Sequence, residues 1–337
     1  VFELDRGALI QNRVLVLLAA IACVQVAVRF HTRRQRDGLR TLWRLRPASL
    51  LRGTLGFLPI LVAICGVGVA LALDIHHGSE GEPAREAQKD YWRQNVATWN
   101  DAPTPRPTLV DLAVDLHPAE RRMHVSGRYV LRGRDVPLRR FCVTVGPHFT
   151  NVTMRLDPPP ARMDEKKLLY AFELVRPLGP NDTCTLTFSH DAELPDGISK
   201  NGGSVGEFIV PSGVVLTAFG PGFVPMLGFV QGMGVDDTNS SEPRVYPDDH
   251  WQSEVEPAFG VEHPFDAHCV VTCPADFTAN FVGDLVADTT TDGRRTMEWR
   301  AERVRLFNLV AGRWTIARGE GVAIHHDPRH AVNVPTM

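Results

Sequence analysis

The chain has 337 residues, 44% hydrophobic and 22% charged, which suffices for roughly two domains of about 150 residues each. The net charge of −3 is unevenly spread: residues 1–74 carry ten arginines against four carboxylates and are net +6, so the remainder is net −9. An acidic soluble part excludes nucleic acid as a partner, because phosphates call for a basic face.

The first element is an uncharged, strongly apolar run over 14–28, flanked by Arg13 and Arg29, with Gln25 its most polar member. Its 15 residues fall short of the roughly 20 that cross a bilayer. Arginine stems that snorkel to the interface close that gap. The second run, 53–73, has 21 residues without a charge and is long enough to span. A buried core helix is the alternative for each run, and a signal peptide for the first. The intervening stretch argues against cleavage. Residues 29–52 hold eight arginines (29, 33, 34, 36, 40, 44, 46 and 52) against the single acid Asp37, and no small-residue cleavage site precedes them. A short basic loop belongs in the cytoplasm. The expectation is a membrane segment over 1–74, with transmembrane helices at about 14–30 and 53–73. A lipid bilayer is then a partner, and everything after Asp74 is extracytoplasmic. The chain starts at Val1 without Met, and both ends read as cuts in a longer protein.

Residues 75–107 read as a linker. The tract HHGSEGEP is polar and turn-rich, and 101–107 holds three prolines. Between them, 84–99 is predicted as a short helix bearing Tyr91, Trp92 and Trp99, suited either to a membrane interface or to ordinary packing. From about Thr108 the hydrophobic period becomes two. Val110, Leu112, Val114 and Leu116 alternate with Asp111, Ala113 and Asp115, the pattern of a half-buried strand. A turn at 117–122 leads to a return strand at 123–131. Further strands are predicted at 141–145, 168–174, 183–189, 208–210, 214–217, 268–272, 277–286, 296–300 and 322–325. No amphipathic helix is predicted after residue 105. Short strands at this spacing indicate a mainly β ectodomain over 108–337, a sandwich or saddle. The acidic, proline-bearing stretch 236–264 breaks the pattern as a long surface loop.

Four cysteines lie in this part, Cys142, Cys184, Cys269 and Cys273. Disulfides are permitted outside the cytoplasm, and buried free thiols are the other reading. Cys269 and Cys273 share a predicted strand, about 13 Å apart at roughly 3.3 Å per residue, too far to bond each other. Ser204 sits in the one G-x-S-x-G, but a polar loop precedes it and a strand follows, the reverse of a nucleophile elbow. His326 and His330 are four apart with His325 beside them, yet Asp327 stands where a zincin has Glu, and Pro328 disfavours a helix. Asp236, Asp237, Asp248 and Asp249 supply oxygens without the spacing of a calcium loop. The residues alone therefore name no catalytic, cofactor-binding or metal-ligating position.

The stretch VRLFNLVAGRWTIARGEGVAIHHDPRH resembles the end of the N-terminal domain of M1-family (gluzincin) aminopeptidases, with Phe307, Gly312, Trp314, Val322, Ile324, Pro328 and His330 at matching positions. LVDLAVDLHPAERRMHVSGRYVLRG resembles that domain's opening hairpin, and the run from Cys273-Pro274 to Gly283-Asp284-Leu285 resembles a later strand pair. With membrane helices first, the arrangement is similar to bacterial proteins that join an ABC-2-type transporter permease to an M1 peptidase region. FIVPSGVVLTAFGPGFVPMLGF resembles a stretch of those proteins. The resemblance implies an M1 N-terminal β domain, an ATP-binding subunit as a partner, and a peptide substrate cleaved at the outer face. It also implies zinc in the full-length parent, held by H-E-x-x-H and a distant Glu. This chain contains no H-E-x-x-H, so no zinc ligand is carried over and no cofactor is expected in it. A non-catalytic binding or assembly module of an ABC exporter is the alternative, and a plain anchored adhesion or sensor sandwich is a third.

Overall fold

The computed structural model describes residues 6–30, 47–77, 82–194, 207–230, 233, 263–329 and 331–332. They fall into two compact units, one up to Pro83 and one from Ala84 onward.

The first unit holds α1 (Arg6–Phe30) and α2 (Pro47–His77), which touch each other. Their apolar windows, Leu9–Val28 and Gly56–Asp74, are 20 and 19 residues long and have no buried positions. Both are long and apolar enough to cross a membrane by length and composition. The helix α1 exceeds the predicted 15-residue run because it begins upstream of Arg13, which lies within it. Val16, Leu17, Val24, Leu58, Val62 and Val69 are each more than half exposed. A helix without a polar face, left uncovered by protein, suits lipid rather than water.

The second unit opens with α3 (Glu82–Trp99). Its strands are β1 (Arg106–His117), β2 (Arg122–Arg132), β3 (Leu138–Thr144), β4 (Phe149–Asp157), β5 (Arg162–Lys166) and β6 (Leu169–Leu178). Then come β7 (Thr183–Glu193), β8 (Phe208–Val210), β9 (Gly213–Thr217), β10 (Met226–Leu227), β11 (Phe265–Pro274) and β12 (Thr278–Asn280). Last are β13 (Asp284–Thr291), β14 (Arg294–Val304), β15 (Asn308–Gly312), β16 (Thr315–Gly319) and β17 (Val322–His326). A seven-stranded sheet runs β13-β14-β11-β1-β2-β7-β4 and is antiparallel except where β1 pairs with β11. Two four-stranded sheets run β10-β3-β6-β5 and β12-β15-β9-β8, and β16 pairs with β17. The second unit is mainly β, as the alternation predicts.

The hairpin β1–β2 turns through one 3-10 turn, Pro118–Glu120, and a left-handed Arg121 (φ 57°). The predicted strand over 277–286 is interrupted. Gly283 has φ +93°, and a Cβ there would lie 2.3 Å from the Arg300 carbonyl oxygen. The chain breaks at that glycine and pairs on as β13. Five strands, β4, β5, β10, β15 and β16, escape the alternation reading. β4 and β5 are largely exposed, and β10 has only two residues, so none shows a long apolar period.

One side of the large sheet forms the core. Val110, Leu112, Leu116, Tyr129, Phe188, Cys269 and Val271 are each at most 2% exposed. Phe307 is fully buried in an aromatic cluster, with ring centroids 6.0 Å from Phe223, 6.1 Å from Phe265 and 5.5 Å from Phe281. The aromatic residues of α3 take the packing option, not the interfacial one. Tyr91 and Trp99 are buried with Cys142, Leu169, Ala171 and Phe229, and Trp92 packs against that cluster.

Candidate functional site: the polar face of the large sheet

The period of two that buries Val110, Leu112 and Val114 turns Asp111, Ala113 and Asp115 to the opposite face of β1. The register extends that face into rows. One row holds Thr187, Arg128, Asp111, His268 and Arg300. The next holds Thr153, Ser189, Ser126, Ala113, Val270 and Glu298. A third holds Asp191, His124, Asp115, Thr272 and Thr296.

A chain of polar side chains crosses four strands here. Arg128 Nε donates to Asp111 Oδ2 at 2.9 Å. His268 Nδ1 lies 2.7 Å from Asp111 Oδ1, and its Nε2 lies 3.0 Å from Glu298 Oε1. Arg300 donates to the same Glu298 oxygen through Nε at 3.1 Å and Nη2 at 2.8 Å. The His268 ring thus bridges the carboxylates of Asp111 and Glu298. Arg300, and then His268, hold the Glu298 carboxyl below the usual carboxylate range. A second group sits in the other two rows. His124 Nδ1 lies 2.7 Å from Asp191 Oδ1, Asn151 Nδ2 donates to Asp191 Oδ2 at 2.8 Å, and Ser189 Oγ lies 3.4 Å from His124 Nε2. Two hollows flank the Asp111–Arg128 pair. One, about 590 Å³, is lined by Ser126, Thr153, Arg155 and Ser189 among others. The other, about 930 Å³, is lined by His268, Asp284, Arg300 and Glu302.

The positions weighed from sequence fall elsewhere. Ser204, His330, Asp236, Asp237, Asp248 and Asp249 lie outside the described residues. His325 and His326 are neighbours on β17 and so point to opposite faces. His326 Nδ1 lies 2.9 Å from the Asp327 carbonyl oxygen, and the Asp327 carboxylate binds Arg329 Nη2 at 2.7 Å. These three side chains therefore do not fit a zinc ion: they do not converge, and the carboxylate is already engaged. Among the described residues no group of three or more His, Cys, Asp and Glu is arranged to hold a metal. Cys142, Cys184, Cys269 and Cys273 are buried free thiols. Burial pushes Cys142 up to about 12 and Cys184 and Cys273 up to about 11, which leaves them protonated and unreactive. Sequence reasoning missed His124, Ser189, Asp191, His268 and Glu298. Only the Asp111/Asp115 alternation signalled their face.

The chain is similar to solved structures of an M1 zinc metallopeptidase from Deinococcus radiodurans. A mutant of it bound to a Tyr-Ser-Ala substrate shares 18% identity, covers 66% of this chain and 46% of that chain, and has a TM-score of 0.44. The metallopeptidase without that mutation shares 16% identity over the same fractions, also at a TM-score of 0.44. The present chain thus spans about half the length of those structures (46%). No protein-family profile and no curated protein matches it.

Proposed function

We propose that this chain is the membrane-anchoring N-terminal portion of an M1-like metallo-aminopeptidase fused to ABC-type permease helices. In this reading α1 and α2 cross the membrane, the arginine loop is cytoplasmic, and 108–337 forms the extracytoplasmic β platform after a 75–107 approach. The observation that carries it is that the residues of the sequence resemblance do structural work. Phe307 is the hub of the aromatic cluster. A Cβ at Gly312 would lie 2.7 Å from the Trp314 ring, so that pair requires glycine. A Cβ at Gly127 would meet the Asp111 carbonyl at 2.8 Å and Phe188 at 2.9 Å. The motif is thus a set of packing constraints rather than a chance run of strand residues. Zinc in the parent would polarise a scissile carbonyl and activate water, and no step of that chemistry is assigned to this chain.

The test is aminopeptidase activity of the whole gene product in membranes, on aminoacyl-coumarin substrates with and without a zinc chelator. Chelator-sensitive release of the N-terminal residue is expected. Absence of metal-dependent cleavage overturns the peptidase reading. The second reading is a non-catalytic assembly module of an ABC exporter. Co-purification of an ATP-binding subunit with an inactive protein is the outcome that reading requires.

A further inference from the structure

We propose that Ser189, His124 and Asp191 form a second, metal-independent site on the solvent face of the large sheet, an acyl-transfer site for carboxylic esters that carry an anionic group. Ser189 and Asp191 are two apart on β7, so both face the same side. His124 on β2 is directly opposite Asp191 and diagonal to Ser189, whose own partner is Ser126. This register delivers the right atoms to each other. His124 Nδ1 meets Asp191 Oδ1 at 2.7 Å, which leaves Nε2 as the acceptor facing Ser189 Oγ at 3.4 Å. Nucleophile, base and orienting carboxylate are recognised by this geometry, whatever their order in the chain. The Ser189–His124 distance is of the loose kind that tightens when substrate binds.

The surroundings fit the chemistry. Asn151 donates to Asp191 Oδ2 at 2.8 Å and fixes that carboxylate. Asn151, and then His124, hold its carboxyl below the usual range, so it is ionised at neutral pH. Ser189 is flanked on the two neighbouring strands by hydroxyls, Ser126 and Thr153. Both line the 590 Å³ hollow with Ser189, and Arg128 and Arg155 line the same hollow from the next row. The hydroxyls are placed to donate to a developing oxyanion. The guanidinium groups select a substrate with a carboxylate or phosphate.

In the reaction, Ser189 Oγ bonds to the ester carbonyl carbon while its proton passes to His124 Nε2. The carbonyl π electrons move to oxygen, where Ser126 and Thr153 donate hydrogen bonds. Collapse breaks the bond to the alkoxy oxygen, which leaves as the alcohol with the proton from His124. Water then repeats the sequence on the acyl-serine, releasing the carboxylic acid and restoring Ser189. Asp191 stays ionised throughout and holds the imidazolium.

The site does not depend on the peptidase reading, and the assay keeps the two apart. The full chain in detergent micelles is treated with a fluorophosphonate probe and assayed with 4-nitrophenyl hydrogen succinate and the uncharged 4-nitrophenyl butyrate, all in the presence of a zinc chelator. Mass spectrometry is expected to place the label on Ser189. Ser189→Ala and His124→Gln are expected to abolish labelling and to lower kcat/KM by at least about 10²-fold, with unfolding temperatures near wild type. Arg155→Ala is expected to raise KM for the succinate ester by a larger factor than for the butyrate. No labelling of the folded wild type, or hydrolysis unchanged in Ser189→Ala, overturns the proposal.

Discussion

Tyr91 Oη lies 2.8 Å from Thr144 Oγ1, 53 residues further along the chain, and both are buried. Thr144 Oγ1 donates to the Gly228 carbonyl at 2.7 Å, so Tyr91 is the donor in the pair, and Tyr91 Oη accepts from the Val230 N–H at 2.8 Å. Its ring stacks on Phe229 with centroids 5.0 Å apart. The helix that follows the two apolar helices is thereby part of the β core rather than a tether. Tyr91→Phe keeps the ring but strands the Val230 N–H. It is expected to cost about 2 kcal/mol, read as a lower unfolding temperature of the full chain in micelles by tryptophan fluorescence.

Phe307 offers a sharper test of the aromatic hub. Phe307→Ala is expected to destabilise by about 3–5 kcal/mol, through lost burial and an uncollapsed cavity. Phe307→Leu is expected to cost clearly less. Equal, small effects for the two would show that the cluster is not the core.

Much of this was legible beforehand for one reason: a half-buried strand shows a period of two. Val110–Leu116 announces itself, and the even spacing of Cys269 and Cys273 puts both thiols on the buried face of β11. What one strand cannot disclose is its neighbour. Asp111 meets His268 only because β1 pairs in parallel with a strand 157 residues away, and no local pattern encodes that. His124 and Asp191 read separately as exposed polar residues, and their pairing exists only in the register of β2 against β7. The uncharged run 14–28 is short because Arg13 bounds it, whereas α1 continues through Arg13.

Gly283 is the point where the predicted strand 277–286 breaks. Gly283→Ala must hold φ near +93° and place a methyl 2.3 Å from the Arg300 carbonyl. A loss of about 2 kcal/mol or more is expected, again by thermal unfolding. A neutral effect would mean that the β12–β13 connection tolerates another path.

His190 is 1% exposed, and its Nε2 donates to the Phe223 carbonyl at 3.2 Å while Nδ1 has no hydrogen-bond partner among the described residues. Burial lowers its pKa from 6.5 to about 4. The unfolded chain therefore binds the extra proton first, and the stability held above pH ~6.5 is lost as pH falls toward 4, on the order of 3 kcal/mol. Burial raises the Glu207 carboxyl, which works in the opposite direction on acidification. The readout is therefore the difference between wild type and His190→Phe. The variant is expected to lose less stability between pH 6.5 and pH 4.

The proposed topology requires the two uncovered apolar helices to thread a bilayer. Limited proteolysis of intact spheroplasts carrying the full chain with a C-terminal epitope tests this directly. The account predicts that added protease removes the epitope and the β unit and leaves the arginine-rich loop protected until the membrane is permeabilised. Survival of the β unit with cleavage in that loop would contradict it.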